Sequence, residues 1–149
     1  MNLDQLKEPF SEQDIEWRVS RSGRRKSEPW CTVLAYITAR AIQNRLDNVC
    51  GPENWQMPEP KVYVFKETAA FFCGISIRIK DEWVTKWDAA DPTNIEPSKG
   101  GMSGAVKRAG AAWGIGRYLY QLTETFADTT DQRPENGPWN WARLPKKDG

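Results

Sequence analysis

The sequence predicts an α+β fold in which an antiparallel β-meander packs against a long C-terminal helix, with an additional helix nearer the N-terminus. The main evidence is a strand pattern over residues 71–80, where apolar and polar side chains alternate as they do in a half-buried strand. Two shorter alternating segments flank this strand, at residues 61–65 and 83–87. Two segments with apolar residues at helical spacing lie on either side of the group, at residues 33–48 and about 99–121.

The N-terminal part of the chain predicts short elements before the first helix. Ser11 with the acidic residues after it is typical of a helix N-cap, and residues 15–19 then alternate as a short strand. Residues 20–29 are basic and contain glycine, serine and proline, which favours a loop. The helix over residues 33–48 is expected to stop before the Gly-Pro pair that follows it. Tyr36 and Arg40 share its polar face, which is most simply a solvated surface.

The predicted C-terminal helix is unusual because Gly104, Gly110, Gly114 and Gly116 lie in its interior, each costing up to about 1 kcal/mol relative to alanine. A helical wheel places Gly110 and Gly114 on one smooth face, with Lys107 and Arg117 on the same side. Glycines allow another backbone to come close, so this face is expected to meet either a protein helix or a phosphodiester chain. Arg108 falls near the edge of the apolar arc, so its spacing alone does not select it as a phosphate ligand.

Composition excludes several kinds of chemistry. The 149 residues include no histidine, which removes Ser-His and Cys-His catalysis and histidine-containing metal sites. Three widely separated cysteines suit a reducing compartment and buried thiols. No apolar run is long enough to span a membrane, and the first residues lack the pattern of a signal peptide. We therefore expect a cytoplasmic protein without catalytic residues, metal or other cofactor.

The charge is small in total but unevenly distributed. The formal net charge is +1, yet residues 17–27 contain only basic charges and residues 81–96 are mostly acidic. A local basic patch binds phosphate even in a nearly neutral chain. The eight tryptophans are high for this length, and flat rings are a common platform for unpaired bases. These features favour a nucleic-acid partner.

Two segments of the sequence resemble parts of enzyme active sites. Residues 99–104 are glycine-rich before a helix but lack the Gly-Lys-Ser/Thr ending of a P-loop, so ATP-driven activity is not expected. Asp88, Asp91 and Glu96, followed by Lys99, have the residue types of a Mg²⁺-dependent nuclease. Two residues separate the acid from the lysine, and prolines interrupt the segment, so a solvated or subunit-bridging acidic loop is the simpler interpretation.

The order of these elements resembles the annealing core of the Rad-fifty-two (Rad52) superfamily, and is especially similar to the short versions carried by bacteriophages and prophages. Most of the resemblance lies in a few short stretches within about residues 9–122. These stretches are residues 14–19, residues 36–40, the Gly-Pro-Glu-Asn-Trp at 51–55, the Lys-Arg-Ala at 107–109 and residues 113–120. Their order and spacing make the match more specific than any single stretch.

The resemblance implies a β-β-β-α core, a homo-oligomeric ring and ATP-independent annealing of single-stranded DNA in recombination and repair. It implies that Lys107 and Arg108 hold an inner DNA strand, that Arg40 is a further groove residue and that Lys80 belongs to an outer site. A further basic position of the family is occupied here by Ala111, and Arg117 is expected to replace its charge. We expect DNA binding by seven residues in all: Lys107, Arg108, Arg40, Arg117, Lys80, Arg78 and Tyr36.

The resulting hypothesis divides the chain into an annealing domain at 1–126 and a surface extension or flexible tail at 127–149. Its partners would be single-stranded DNA, further copies of the chain and, in a bacterial host cell, a phage exonuclease or the host single-strand-binding protein. A Mg²⁺-dependent nuclease and a single-stranded RNA-binding protein stay open as alternatives. Recognition of the 2′-hydroxyl would decide between RNA and DNA, and the sequence does not show it.

Overall fold

The protein has a mixed α+β structure with two antiparallel sheets and two α-helices. The structure is a computed structural model, and it describes residues 1–90 and 100–129. The predicted α+β class is confirmed at this level.

The first sheet is built on a long hairpin. Strand β1 spans Ile15–Arg25, β2 spans Glu28–Ile37, and β7, Thr125–Ala127, adds to the free edge of β2. Lys26 and Ser27 both have positive φ in the two-residue connection, which is the pattern of a type I′ hairpin turn. The predicted loop over 20–29 is therefore wrong, because these residues continue the two strands. The predicted helix start at Val33 is also wrong, since residues 33–37 belong to β2.

The second sheet is centred on β5. Strand β3 spans Trp55–Gln56, β4 spans Lys61–Phe65, β5 spans Thr68–Ile79 and β6 spans Glu82–Ala90. Strand β5 pairs antiparallel with β4 through its first half, with β3 near its end, and with β6 along most of its length. Cys73, Ile75 and Ile77 of β5 are buried on the side predicted to face the core. Gly74 and Ser76 on the opposite side are buried as well, so this part of the strand is covered on both faces.

The two helices have clear local reasons for their ends. Helix α1 spans Ala39–Cys50, and the Thr38 side chain accepts a hydrogen bond from the Ala41 backbone N–H at its start. Helix α2 spans Gly100–Ala112 and is followed by a turn and a 3-10 helix, Arg117–Gln121. Gly114 and Gly116 both have positive φ. The predicted continuous helix to residue 121 is therefore wrong, because the chain leaves helical geometry at these glycines.

The close neighbours of two glycines are protein side chains. A Cβ added at Gly110 would lie 3.2 Å from Cδ1 of Ile42 on α1, so this glycine allows the two helices to approach. A Cβ at Gly114 would lie 2.8 Å from Cγ of Lys7. Lys7 belongs to the N-terminal segment, residues 3–10, which begins with the 3-10 helix Leu3–Lys7. Of the two neighbours expected for the glycine face, the protein neighbour is the one observed. The expected placement of Lys107 on an open polar face with these glycines is also wrong, because Lys107 is buried.

The main core lies between β5, α1, α2 and the N-terminal segment. Arg45 of α1 fixes that segment, since its guanidinium donates to four backbone carbonyl oxygens between Gln5 and Pro9 and lies 3.8 Å from the centroid of the Phe10 ring. The buried residues of this core are Leu6, Phe10, Ile37, Ala41, Ile42, Leu46, Cys50, Ile75, Ile77, Ala109, Trp113, Ile115 and Leu119.

The C-terminal part of the described chain returns to the first sheet. Strand β7 crosses the predicted domain boundary at residue 126, and the Thr129 hydroxyl donates to the backbone oxygen of Pro29. The division at 126 stays a prediction, and residues 130–149 lie outside the described residues. The three cysteines are buried free thiols, as predicted. None of the helices in the described residues is long and apolar enough to cross a membrane.

Candidate nucleic-acid interface

A cluster of basic and aromatic side chains lies where the β1–β2 hairpin meets α2. Glu16 is the cross-strand partner of Tyr36, and Arg18 follows two residues later, so these three side chains share one face of the hairpin. The guanidinium carbon of Arg18 lies 5.4 Å from the centroid of the Tyr36 ring. The Nζ of Lys107, on α2, lies 5.8 Å from the same centroid. We call Glu16, Arg18, Tyr36 and Lys107 the hairpin–helix cluster.

Lys107 is a cation with little solvent around it. The residue is only 7 % exposed, and it forms no hydrogen bond or ion pair within the described residues. Every fully buried side-chain nitrogen or oxygen in the described residues has a hydrogen-bond partner. Because the ammonium group of Lys107 has no such partner, it must keep some contact with solvent. Its aliphatic stem is therefore buried while its charged end reaches the surface.

The electrostatic surroundings of Lys107 disfavour its charge. Burial lowers the pKa of Lys107 from its ordinary value of 10.5, and the nearby Arg18 lowers it further. Glu16 raises the pKa but acts more weakly, and its carboxylate already pairs with Arg18 at 3.3 Å. The cluster therefore contains two close cations and one carboxylate, which leaves an unbalanced positive charge suited to an anion.

Arg108 and Tyr120 extend the surface of α2 towards β6. Arg108 is exposed, and its Nη1 donates to the backbone oxygen of Ala89 at 3.1 Å. Tyr120 is 58 % exposed. Desolvation raises the pKa of its hydroxyl; Arg108 lowers it, and Asp88 and Tyr36 raise it. Tyr120 therefore lies within electrostatic range of Arg108 and of the Tyr36 hydroxyl.

Arg117 and Arg78 are both engaged in structural hydrogen bonds. The Arg117 guanidinium donates to the backbone oxygens of Ala111 and Ala112 at 2.8 and 2.9 Å, so it caps the C-terminus of α2. The Arg78 guanidinium donates twice to Oδ1 of Asn54, at 3.0 and 2.7 Å. Neither contact occupies every donor of a guanidinium, which has five.

Arg40 and Lys80 are exposed residues at element ends. Arg40 lies in the first turn of α1 and makes no hydrogen bond or ion pair within the described residues. Lys80 lies with Asp81 in the turn between β5 and β6, where both have positive φ. Of the seven residues predicted for DNA binding, Lys107 and Tyr36 are in direct contact. Within the part of the chain that the structure describes, no hydrogen bond, ion pair or ring contact joins the other five to this pair.

Glu16 and Arg18 are the members of the cluster that sequence reasoning missed, and Arg18 is the basic one. It lies in the segment recognised as a short strand, two residues from Glu16, and it would have been grouped with Tyr36 if the β1–β2 hairpin had been recognised. Of the three acidic residues considered for a nuclease site, the structure describes Asp88 alone, because Asp91 and Glu96 lie outside the described residues. Asp88 lies in β6, where its Oδ1 accepts a hydrogen bond from the Ala89 N–H at 2.7 Å.

Comparison with known protein families identifies the family of this chain. The profile of the Rad52/22 family double-strand break repair protein matches residues 2–137. The chain belongs to this family, as its sequence pattern indicated.

Two curated relatives carry a more specific description. The chain is 32 % identical over 143 residues to the single-stranded DNA-binding protein DdrA of Deinococcus radiodurans, which covers 95 % of this chain and 64 % of that protein. It is 30 % identical over 132 residues to DdrA of Deinococcus deserti, covering 87 % of this chain and 62 % of the relative. The chain thus spans less than two thirds of the length of either relative.

Proposed function

We propose that this protein binds single-stranded DNA at the hairpin–helix cluster and anneals complementary strands without ATP, as a binding protein and not an enzyme. The single observation that carries the proposal is Lys107, a desolvated cation beside a second cation. A phosphate would supply the negative charge that the folded protein lacks at this point. The family membership and the DNA-binding description of the two relatives support the same conclusion.

The chemistry of the cluster suits binding that ignores base sequence. Lys and Arg contacts to phosphate carry no sequence information, and they leave the base edges free to pair with a second strand. The ring of Tyr36 lies beside both cations of the cluster and offers a flat apolar surface to a sugar or base. We place Arg108 and Arg40 on the same inner path, with Arg117 beside it. Arg78 and Lys80, at the end of β5, would serve a separate outer site.

Self-association into a closed ring is part of this proposal. Among residues 1–90 and 100–129, strand β4 pairs only with β5, along one edge, and all five of its side chains are exposed. More than half of the surface of each of its apolar residues is exposed: 56 % for Val62, 57 % for Tyr63, 75 % for Val64 and 73 % for Phe65. An apolar edge strand of this kind readily pairs with another chain. A ring places such a patch against a different patch of the next subunit, which protects it in every copy.

The proposal is tested by an annealing assay on two complementary labelled oligonucleotides, in chelator and without ATP. We expect wild-type protein to accelerate pairing, and Lys107→Met to slow it. Sedimentation at micromolar concentration should show a species several times the chain mass of 17.1 kDa. Spontaneous pairing rates with wild-type protein would refute annealing, and a monomer with and without DNA would refute the ring.

Two further arms of the assay address the alternatives. A ribo-oligonucleotide of the same sequence competes with the labelled DNA if the protein is an RNA binder, and competes weakly if DNA is preferred. Added phage exonuclease or host single-strand-binding protein tests the proposed protein partners. Faster annealing of strands coated with the host single-strand-binding protein would support an interaction between the two proteins.

A further inference from the structure

We propose that the outer half of the β1–β2 hairpin is a second nucleic-acid contact, which holds phosphates of a strand continuing beyond the hairpin–helix cluster. The inference rests on the proposed function and adds a surface to it. Its basic residues are Arg21, Arg24, Arg25 and Lys26, none of which belongs to the cluster.

A β-bulge aligns part of this surface with the cluster. Residues on one side of a regular strand recur at every second position, so Arg18 and Arg21 would ordinarily point to opposite faces. The pairing of β1 with β2 shifts between Val19 and Arg21, which inserts one extra residue there. Arg21 and Arg25 consequently share the face that carries Arg18 and Tyr36.

The hairpin also has the length to act as a separate contact. Tyr36 lies seven positions along β2 from Pro29, the partner of Arg24, which corresponds to about 23 Å at roughly 3.3 Å per position. This is close to seven nucleotides at about 3.4 Å each, the spacing along one strand of a duplex. A short oligonucleotide held at the cluster would therefore not reach the turn, whereas a longer one would.

Not all of the hairpin's positive charge is available in the free protein. The Arg21 guanidinium donates to Oε2 of Glu124 at 2.7 and 3.2 Å, so these two charges cancel. Arg25 and Lys26 are exposed and make no ion pair within the described residues, although Glu28 is the cross-strand partner of Arg25. Arg25 and Lys26 are thus the charges that a phosphate meets first, and Glu124 opposes an anion near Arg21.

Aromatic rings lie on the same face of the sheet. Phe126 is the partner of Thr32 and is 72 % exposed, and its ring makes an edge contact with Trp30 at 6.3 Å between centroids. Trp30 lies across Gly23, where an added Cβ would be 3.0 Å from Cζ2 of the indole. Cations next to an exposed ring are typical of surfaces that bind unpaired nucleic acid, and they do not suit an apolar protein partner.

The test compares oligothymidylates of about 4 and about 16 nucleotides, the range covered by common single-strand binding folds. Affinity is measured at several salt concentrations for wild type, Arg25→Gln/Lys26→Gln and Glu124→Gln. We expect the double variant to bind the long oligomer less tightly, with a salt slope smaller by about 0.7 for each lost contact, and to bind the short one normally. Glu124→Gln should strengthen binding of the long oligomer, because it frees Arg21.

Lys66→Gln is the matched control for Lys26. Both lysines are exposed hairpin-turn residues with positive φ, 56° for Lys66 and 50° for Lys26, but Lys66 lies in the other sheet. It should leave both affinities unchanged. Wild-type slopes for the double variant on the long oligomer would overturn this inference and leave the proposed function intact. Failure of wild type to bind either oligomer would overturn both.

Discussion

The Nζ of Lys107 on α2 lies 5.8 Å from the centroid of the Tyr36 ring at the base of the β1–β2 hairpin. This contact links the two sheets. Helix α2 packs on β5 and β6 of the second sheet, whereas Tyr36 belongs to β2 of the first sheet. A desolvated cation lowers the stability of a fold unless an anion balances it. The charge of Lys107 is therefore better explained by a role in binding than by a role in folding.

Lys107→Met separates these two roles. Methionine keeps the buried stem but removes the charge, so we expect the free energy of unfolding to rise by about 1 kcal/mol. Loss of a charged contact to phosphate should weaken single-stranded DNA binding by about 1.5 kcal/mol, roughly tenfold. Urea unfolding and fluorescence anisotropy measure the two effects. Lys7→Met, an exposed lysine of the N-terminal segment, is the control; equal affinity of wild type and Lys107→Met would remove Lys107 from the binding site.

Glu124 should make the stability of the first sheet depend on pH in the acidic range. A hydrogen bond from the Ser20 hydroxyl lowers the pKa of Glu124 below its ordinary 4.5, and hydrogen bonds from Arg21 act in the same direction. A carboxyl with a depressed pKa stabilises the fold above pH 4.5, and this contribution is lost as the pH falls through the lower value. The difference in melting temperature between wild type and Glu124→Gln should therefore narrow below about pH 4.5. A constant difference across that range would contradict the assignment.

Arg45 should be essential for the attachment of the N-terminal segment. Its guanidinium donates to the backbone oxygens of Gln5, Leu6, Glu8 and Pro9, and a lysine cannot span four acceptors. We expect Arg45→Lys to lower the free energy of unfolding by about 2 kcal/mol. Asn44→Ala, an exposed change on the same helix, should have a small effect. Similar unfolding midpoints for both variants would show that the segment is held by other contacts.

Two glycines of the last helical region should respond oppositely to alanine. A Cβ at Gly104 meets nothing within 4 Å, so Gly104→Ala should stabilise α2 by up to about 1 kcal/mol. Gly114 has a φ of +92°, and a Cβ there would lie 2.8 Å from Cγ of Lys7. Gly114→Ala should therefore destabilise the protein by about 1–2 kcal/mol. Calorimetry on both variants checks the pair, and a stabilising Gly114→Ala would mean that α2 continues past Ala112.

The parts of the fold that the sequence predicted well are those with a regular pattern. From Cys73 onward the residues of β5 alternate between apolar and small or polar types, so the strand and its apolar side could be predicted from the sequence alone. The burial of Gly74 and Ser76 on the other side could not. Residues 33–37 form an unbroken apolar run that suits a helix or a strand equally, so periodicity alone does not show that they belong to β2. Thr38, which caps α1, was the available signal that the helix begins later.

The β1–β2 hairpin was not predictable from its composition. Its turn uses Lys26 and Ser27 at positive φ, where Asn-Gly is the usual signal, and Gly23 lies inside β1. Trp30 covers that glycine across the strands, a tertiary contact that periodicity does not show. The burial of Lys107 has the same origin, because it depends on where the hairpin meets α2. A helical wheel gives the direction of a side chain but not the element that lies opposite.

The last prediction concerns the acidic segment around β6. We expect no catalysis from Asp88, Asp91 or Glu96, because the prolines in this segment disfavour the rigid arrangement that a two-carboxylate metal site needs. Asp88 instead accepts a hydrogen bond from the Ala89 N–H, next to the carbonyl that Arg108 contacts. Wild type and Asp88→Ala/Glu96→Ala are assayed for cleavage and annealing with Mg²⁺ or Mn²⁺. Neither should cleave DNA, and at most the oligomer size should change; degradation by wild type that the double variant loses would favour the nuclease instead.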